Sequence, residues 1–490
     1  MNKILLIKSF SKKMKIKAIT QPLGLMYLSA YIKSKSKNYE IRIFDSRFYY
    51  DDTSELELVI KDFCPDIVGL SALTQEADGM HYIAHLVKGF NNKTITVAGG
   101  PHPTQFYDDV LSDKNIDFVI RGEGEEVFYE LLERIRKNEN IEGIEGISYR
   151  SGNRIIDGGR ALLKIDINDL PYPDYESIEM ERYFNCFSMA TIGKRRYAAV
   201  STSRGCPFEC IYCHNIFGRR FRYMRPERIV SEIEYLVRKF QITDIEFVED
   251  IFNLNRERTE KILDMLIQKD FRLNLAFPNG LRTDMLDKEM LIKFRKAGTI
   301  FISFAIETAS SEQQRKIKKK LNLDTAREMI DFAADLGILC NGFFMLGFPG
   351  ESREEIKSTI DFALNSRLHT AYFFIVNPFK GTLLYEMNKD VIENLTVSKK
   401  YDEYSYFLGR FNLSKVSTSE LLGMQRDAYI KFYLNPLRIF RIINGYLHLP
   451  SGVQYLTYYG LKTIHLIIDR AIKGILHYED SSNKTKDASR

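Results

Sequence analysis

The chain of 490 residues has no run of eighteen apolar residues, so nothing in it reads as a transmembrane helix. Its opening Met1-Asn2-Lys3-Ile4-Leu5-Leu6-Ile7-Lys8 is too short an apolar stretch for a signal peptide and reads as a strand. Cysteine is scarce: of six, Cys64, Cys186 and Cys340 are widely scattered, which argues against a disulfide framework and for a reducing cytosol. Neither sign of charge dominates, and a net +5 over this length gives no reason to expect a nucleic-acid partner. A chain that is 44% hydrophobic and 28% charged is an ordinary globular one, too long for a single core.

The other three cysteines stand together in Ser203-Arg204-Gly205-Cys206-Pro207-Phe208-Glu209-Cys210-Ile211-Tyr212-Cys213. Thiolates so spaced can hold three irons of a cubane cluster and leave the fourth without a protein ligand, where chemistry can occur. Two readings compete. Cys206, Cys210, Cys213 and His214 could ligate a structural zinc, although adjacent Cys213 and His214 reach one metal poorly and zinc ligands usually come as two separated pairs. The thiols could also be chemically idle. No second cysteine-rich run offers an auxiliary cluster. Arg219, Arg220, Arg222, Arg225 and Arg228 follow closely; a solvated basic face is the expected reading, an anion site the alternative.

From Lys3 to about Arg136 short apolar runs (Ile4 to Ile7, Ile41 to Phe44, Ile67 to Leu70, Ile95 to Ala98, Phe118 to Ile120) alternate with segments of helical spacing, predicting a doubly wound parallel α/β sheet. Ligands of such sheets lie beyond the carboxyl ends of the strands. The segments there are Ser71-Ala72-Leu73-Thr74, Gly99-Gly100-Pro101-His102-Pro103-Thr104 and Arg121-Gly122-Glu123-Gly124-Glu125. Their glycines permit close backbone approach and their hydroxyls adaptable hydrogen bonds.

Leu170-Pro171-Tyr172-Pro173-Asp174 marks a linker. After it, six strand candidates (Ala198 to Thr202, Asp244 to Val248, Leu273 to Phe277, Ile300 to Ile306, Leu339 to Met345, Tyr372 to Val376) predict a partial (β/α)6 barrel. Polar residues recur at their carboxyl ends, where barrel active sites lie: Glu249 and Asp250, Asn279 and Arg282, Glu307, and Gly347-Phe348-Pro349-Gly350-Glu351. Helix capping is the plainer reading of Glu249 and Asp250. Ser417 to Tyr433 and Asn435 to Tyr446 have helical spacing; Tyr455 to Leu476 is a further helix candidate, expected to cover the barrel mouth as a substrate lid, with contact to a membrane surface as the alternative. The expected partition is 1–140, linker 141–195, barrel 196–390, helical cap 391–478, and a disordered tail 479–490.

The cysteine trio, with Tyr212 before its last member, resembles the signature of radical S-adenosylmethionine (SAM) enzymes. Ahead of it, Pro22-Leu23-Gly24-Leu25, Pro65-Asp66-Ile67-Val68-Gly69-Leu70-Ser71 and the two glycine segments that follow are, in this order, similar to the cobalamin-binding domain of one subgroup. The resemblance implies a [4Fe-4S] cluster on Cys206, Cys210 and Cys213, and SAM chelated to the open iron and cleaved by one electron to a 5'-deoxyadenosyl radical. It implies cobalamin against Ser71, Leu73, Thr74, Gly99, Gly100, His102, Gly122, Glu123 and Gly124. For SAM it implies Tyr212, Glu249, Asp250, Arg282, Glu307 and Gly347, with Val248-Glu249-Asp250 standing where the family usually has Gly-Gly-Glu. No histidine occurs from Ser9 to Gln21, so the axial histidine of methionine-synthase-like domains is not expected, and His102 is read as lining the corrin pocket. The activity implied is methyl transfer to an unactivated carbon or phosphorus of a small molecule, with a reductant such as flavodoxin or ferredoxin. A radical cyclase or rearrangement is the alternative, and a non-catalytic sensor of cobalamin or cluster a further one.

Overall fold

The computed structural model describes residues 2–11, 18–395, 411–449, 451–457 and 460. In the first unit β1 (Lys3–Lys8), β2 (Glu40–Asp45), β3 (Ile67–Ser71), β4 (Ile95–Gly99) and β5 (Phe118–Ile120) are parallel, in the order β2-β1-β3-β4-β5. Central β1 shows why: Ile4 to Ile7 are wholly buried, with Leu5 and Ile7 joining one apolar core and Ile4 and Leu6 the other, as a strand covered on both faces requires. The winding reverses between β1 and β3, and the crevice at such a switch point is where these sheets bind ligands.

The segment expected to be linker adds two antiparallel strands, β6 (Ile147–Ser151) and β7 (Arg154–Ile156), for a sheet of seven. Their turn is Gly152-Asn153, a two-residue hairpin signal, but the fully exposed β7 carries no apolar alternation to announce it.

The barrel comprises β8 (Tyr197–Val200), a two-residue antiparallel ribbon of β9 (Ser203–Arg204) and β10 (Arg222–Tyr223), then β11 (Asp244–Phe247), β12 (Asn274–Leu281), β13 (Thr299–Glu307), β14 (Leu339–Leu346) and β15 (Thr370–Ile375). Apart from the ribbon these form an open sheet of six parallel strands, β8 at one edge and β15 at the other. The ribbon closes the base of the loop that carries the three cysteines.

An open barrel leaves an edge strand with unpaired backbone groups, which need cover. Here the helix Thr418–Tyr433 supplies it with side chains: Gln425 Nε2 donates to Phe373 O (2.7 Å), the Tyr429 hydroxyl accepts from Phe373 N (3.0 Å) and the Tyr433 hydroxyl from Ala371 N (3.1 Å). The helix Pro436–Leu447 then packs at the amino ends of the strands, where Gly445 lies against Leu339 and His369 and the buried Arg438 donates to the carbonyls of Leu368, Ala363, Leu364 and Ser366. Tyr446 stacks on Tyr455 with ring centroids 4.2 Å apart in the core that plugs this end. These two helices thus cover the barrel's flank and floor; the expected lid, Tyr455 to Leu476, lies for the most part outside the described residues. The segments 461–476 and 479–490 lie outside the described residues. Among the described residues no helix is long and apolar enough to cross a membrane.

Candidate active site

The carboxyl ends of the two parallel sheets face each other. Arg204, two residues ahead of Cys206, donates to Glu123 Oε1 (2.7 Å) and Glu125 Oε1 (2.6 Å) beyond β5, all three being buried. Glu123 Oε2 also accepts from Arg222 (2.7 Å) and from Leu163 N (2.9 Å). Burial alone would pull the Arg204 guanidinium down, but Glu125 and Glu123 outweigh it and hold it above its ordinary value. For Glu123 burial pushes up, and Arg204 and Arg222 outweigh that and hold it low. On the other side of the interface Lys380, beyond β15, pairs with Asp108 (3.2 Å), and a Cβ on Gly381 would fall 2.0 Å from Gln105 Oε1. Glu123, expected against cobalamin, therefore clamps the two units together.

All six cysteines are free thiols. The trio's loop is pinned by backbone bonds from Ile211 N to Ile317 O (3.1 Å) and from Leu384 N to Ile211 O (2.8 Å). Cys213 is exposed as a residue, yet protein around its sulfur desolvates it, and that effect with Cys210, Asp250 and Cys206 pushes its thiol up to about 12. The three thiols stand near enough to act on one another's ionisation, and donors so spaced suit a cluster with one open iron. Of the five arginines, Arg219, Arg220 and Arg225 are exposed, as a solvated face has them; Arg219 also bonds Phe208 O, and half-buried Arg222 bonds Glu123.

Tyr212 leaves the loop toward β13, where its hydroxyl donates to Glu307 Oε1 (3.2 Å); Lys319 Nζ reaches the same oxygen (3.0 Å). Burial, then the charge of Glu307, raises Tyr212 far above its ordinary value. Glu307 has φ of 68°, unusual for a residue with a side chain, and such strain concentrates at functional positions. Arg282 lies over the Phe208 ring (3.7 Å to its centroid) and donates to Lys319 O (2.7 Å). The exposed Asp250 stands beside Cys206 and Cys213, near enough to raise both thiols.

Other expected residues do different work. Glu249 is buried and bonds Thr202 N (2.5 Å) and Oγ1, tying β11 to β8. Gly347 at φ 94° admits Leu421, whose Cδ2 would be 2.8 Å from a Cβ there, so its close neighbour is the flanking helix. Glu351 takes the Gly347 and Phe348 amides on one oxygen (2.7 and 3.0 Å), and burial pushes it up to about 7.

In the first unit Ser71 ends β3 and its carbonyl accepts from Ser9 N (2.9 Å), across the switch point. Leu73 is 39% exposed, and Thr74 opens the turn Thr74–Glu76. Gly99 ends β4; Gly100, at φ 94°, would set a Cβ 3.2 Å from Ser71 Oγ. His102 is fully buried against Phe106 (4.7 Å between centroids), and burial, then His81 and Lys380, push its imidazole down to about 3, so it is neutral. Gly122 packs on the segment after β7, a Cβ there falling 2.1 Å from Ala161 O, and Gly124 precedes the helix Glu125–Lys137.

Sequence reasoning missed Ser9 and Lys319. Ser9 Oγ is wholly buried at the switch point without a hydrogen-bond partner among the described residues, which suits a polar ligand there. Both amide atoms of buried Asn377, just past β15, are likewise unpartnered among the described residues. A serine in an irregular loop and a lysine in Lys318-Lys319-Lys320 carry no local signal.

The comparisons with known proteins agree with this geometry. The radical SAM superfamily model matches residues 200–363, and the B12 binding domain model residues 13–132. An uncharacterized methyltransferase of Pyrococcus horikoshii is 30% identical over 418 residues, covering 85% of this chain and 88% of that protein. The chain belongs to the cobalamin-dependent radical SAM enzymes. Another relative, the anaerobic magnesium-protoporphyrin IX monomethyl ester cyclase of Rubrivivax gelatinosus, is 25% identical, covering 84% and 74%. Among solved structures, the radical SAM methyltransferase TsrM of Kitasatospora setae, with cobalamin and a [4Fe-4S] cluster bound, superposes with TM-score 0.70 at 16% identity over 90% of each chain, which fixes the shared fold. In this cobalamin-dependent radical SAM enzyme, the Arg204 bonds set the cysteine loop against the carboxyl edge of the first sheet.

Proposed function

We propose that this enzyme methylates an unactivated carbon or phosphorus of a small molecule held between the cysteine loop and the switch point of the first sheet. The observation that carries this reading is the Arg204 clamp, whose bonds to Glu123 and Glu125 fix the cluster loop against the carboxyl edge of the first sheet. When bound, the cluster and SAM supply one-electron cleavage and hydrogen abstraction, and cobalamin carries the methyl group. Cys206, Cys210 and Cys213 hold the cluster. Tyr212, Asp250, Glu307 and Asn377 orient SAM, with Lys319 fixing the Glu307 carboxylate. Ser9, Ser71, Leu73, Thr74, Gly99, Gly100 and the neutral His102 line the corrinoid crevice. The enzyme works in the cytoplasm with a reduced flavodoxin or ferredoxin as electron donor.

A radical cyclisation is the second reading, favoured by the cyclase relative. Anaerobic incubation of reconstituted enzyme with SAM, reductant and candidate substrates decides between them. Methyl transfer yields 5'-deoxyadenosine and S-adenosylhomocysteine together with methylated product. Substrate-dependent 5'-deoxyadenosine without S-adenosylhomocysteine overturns methylation in favour of cyclisation or rearrangement.

A further inference from the structure

Alternation along β13, β14 and β15 divides their side chains between two sides. Ile302, Phe304, Cys340, Phe344, Ala371 and Phe373 join the core under the helices. Their strand neighbours Ser303, Ala305, Asn341, Phe343, Thr370 and Tyr372 therefore point into the barrel. Ser303, Asn341 and Thr370 form a buried ladder, in which Asn341 Nδ2 donates to Ser303 Oγ (3.0 Å) and Thr370 Oγ1 to Asn341 Oδ1 (2.8 Å). One layer nearer the mouth, Ala305 lies beside Phe343 and Phe343 beside Tyr372 on neighbouring strands, and all three are half-buried. Half-buried side chains inside a barrel border open space.

The lining of that space is lopsided. Toward β15 it is aromatic: the rings of Phe343, Tyr372 and Phe374 lie 5.7 to 6.1 Å apart between centroids, with Tyr372 and Phe374 within 4° of parallel. Toward β12 it is small: next to Ala305 comes half-buried Gly280, where a Cβ would stand 3.5 Å from Ala305 Cβ. Gly280 belongs to a bulge in which Pro278, Asn279 and Gly280 stand against Ser303 alone, a device common beside active sites. Among the described residues the charges of the lumen lie in other layers and are paired, Lys319 with Glu307 (3.0 Å) above and Arg195 with Glu246 below the ladder. A charged group between them would be buried without a partner.

We propose that the substrate presents a flat, uncharged aromatic ring to this slot, packed on Phe343 and Tyr372 beside Ala305 and Gly280, with its reacting atom held above at the mouth. The rings attract a π-face, and the missing side chains leave room for its thickness. The inference rests on the preceding reading in placing the reacting atom at the mouth, while ring binding is indifferent to whether a methyl group is then transferred.

The test is equilibrium dialysis of the anaerobically reconstituted, cobalamin-loaded chain against indole, without reductant, in the presence and absence of SAM. The expected result is saturable binding that persists with SAM, and at least about tenfold weaker binding of indole-3-carboxylate. Ala305→Leu fills the slot and should weaken indole at least about tenfold. Phe343→Leu keeps apolar bulk without the ring and should weaken it by about two- to tenfold. Iron and sulfide uptake equal to the native chain's shows that a variant is folded; if Ala305→Leu is not, Phe343→Leu decides. Absence of saturable indole binding, equal binding of the carboxylate, or native affinity in the folded variants overturns the proposal. So does displacement of indole by SAM, which would give the slot to the adenine of SAM. Each of these leaves methyl transfer standing, because that reading is judged by S-adenosylhomocysteine and methylated product.

Discussion

At the carboxyl ends of the barrel strands the contacts are mostly ionic: buried Arg204 with Glu123 and Glu125 and the exposed pair Lys380 with Asp108 run between the two units, and Lys319 with Glu307 lies inside the mouth. At the amino ends they run within one unit and are mostly aromatic or backbone-directed: Tyr446 on Tyr455, and Arg438 on four carbonyls, with Arg195 between Asp244 and Glu246 as the ionic exception. Stacked rings stabilise without orienting anything, whereas a buried ion pair stabilises little over a hydrophobic replacement but tolerates only one geometry. The mouth is therefore built for alignment and the floor for cohesion.

The largest way to separate these roles is to remove a thiol. Cys213→Ala should abolish iron and sulfide uptake on anaerobic reconstitution, and with it 5'-deoxyadenosine formation. The melting temperature of the metal-free chain should hardly move, because the loop is pinned by Ile211 and Leu384 and not by its sulfurs. A large loss of metal-free stability would show the loop to be cohesive after all.

Next comes the clamp. Arg204→Met strands the buried Glu125 carboxylate and leaves Glu123 to Arg222 and Leu163 N, and should cost about 3–5 kcal/mol in urea unfolding. Adding Glu123→Gln and Glu125→Gln should recover much of that stability. If alignment is the clamp's role, the triple variant still produces methylated product poorly.

Glu351 gives a smaller, pH-dependent effect at the same end. Its folded value, about 7, lies above its ordinary 4.5, so between those values the folded state binds more protons than the unfolded one. Stability contributed by the neutral acid is thus full below about 4.5, is lost as pH rises to about 7, and stays lost above. Glu351→Gln keeps an acceptor for Gly347 N and Phe348 N but cannot ionise, so it should flatten the profile and gain about 1–3 kcal/mol over the native chain at pH 8. Parallel profiles would show that Glu351 stays ionised in the fold.

The parallel cores and the cysteine loop were legible because buried strands repeat apolar residues and the thiols repeat at a fixed spacing. Periodicity located the helix Thr418–Tyr433 but not its place in the fold, since nothing local in Gln425, Tyr429 and Tyr433 says that their polar tips replace a missing strand beside β15. The Arg204 clamp was illegible for a related reason: Glu123 looks alike in sequence whether it meets a ligand or an arginine 81 residues away. Glycine had the same ambiguity, as Gly122 and Gly347 make room for Ala161 and Leu421.

The smallest contrast deletes one hydroxyl at each end. The Tyr446 hydroxyl donates to Thr191 O (2.8 Å) at the floor, and the Tyr212 hydroxyl to Glu307 Oε1 (3.2 Å) at the mouth. Tyr446→Phe keeps the stacked ring and should cost about 1 kcal/mol, the net worth of one buried hydrogen bond, while the SAM concentration giving half-maximal 5'-deoxyadenosine formation stays unchanged. Tyr212→Phe removes a comparable bond and should cost no more in unfolding. It also frees one side of the strained Glu307 carboxylate, which Lys319 then holds alone, so the half-maximal SAM concentration should rise several-fold. If both variants lose only stability, the mouth hydroxyl is cohesive like the floor one, and the division between alignment and cohesion fails where the two ends are most alike.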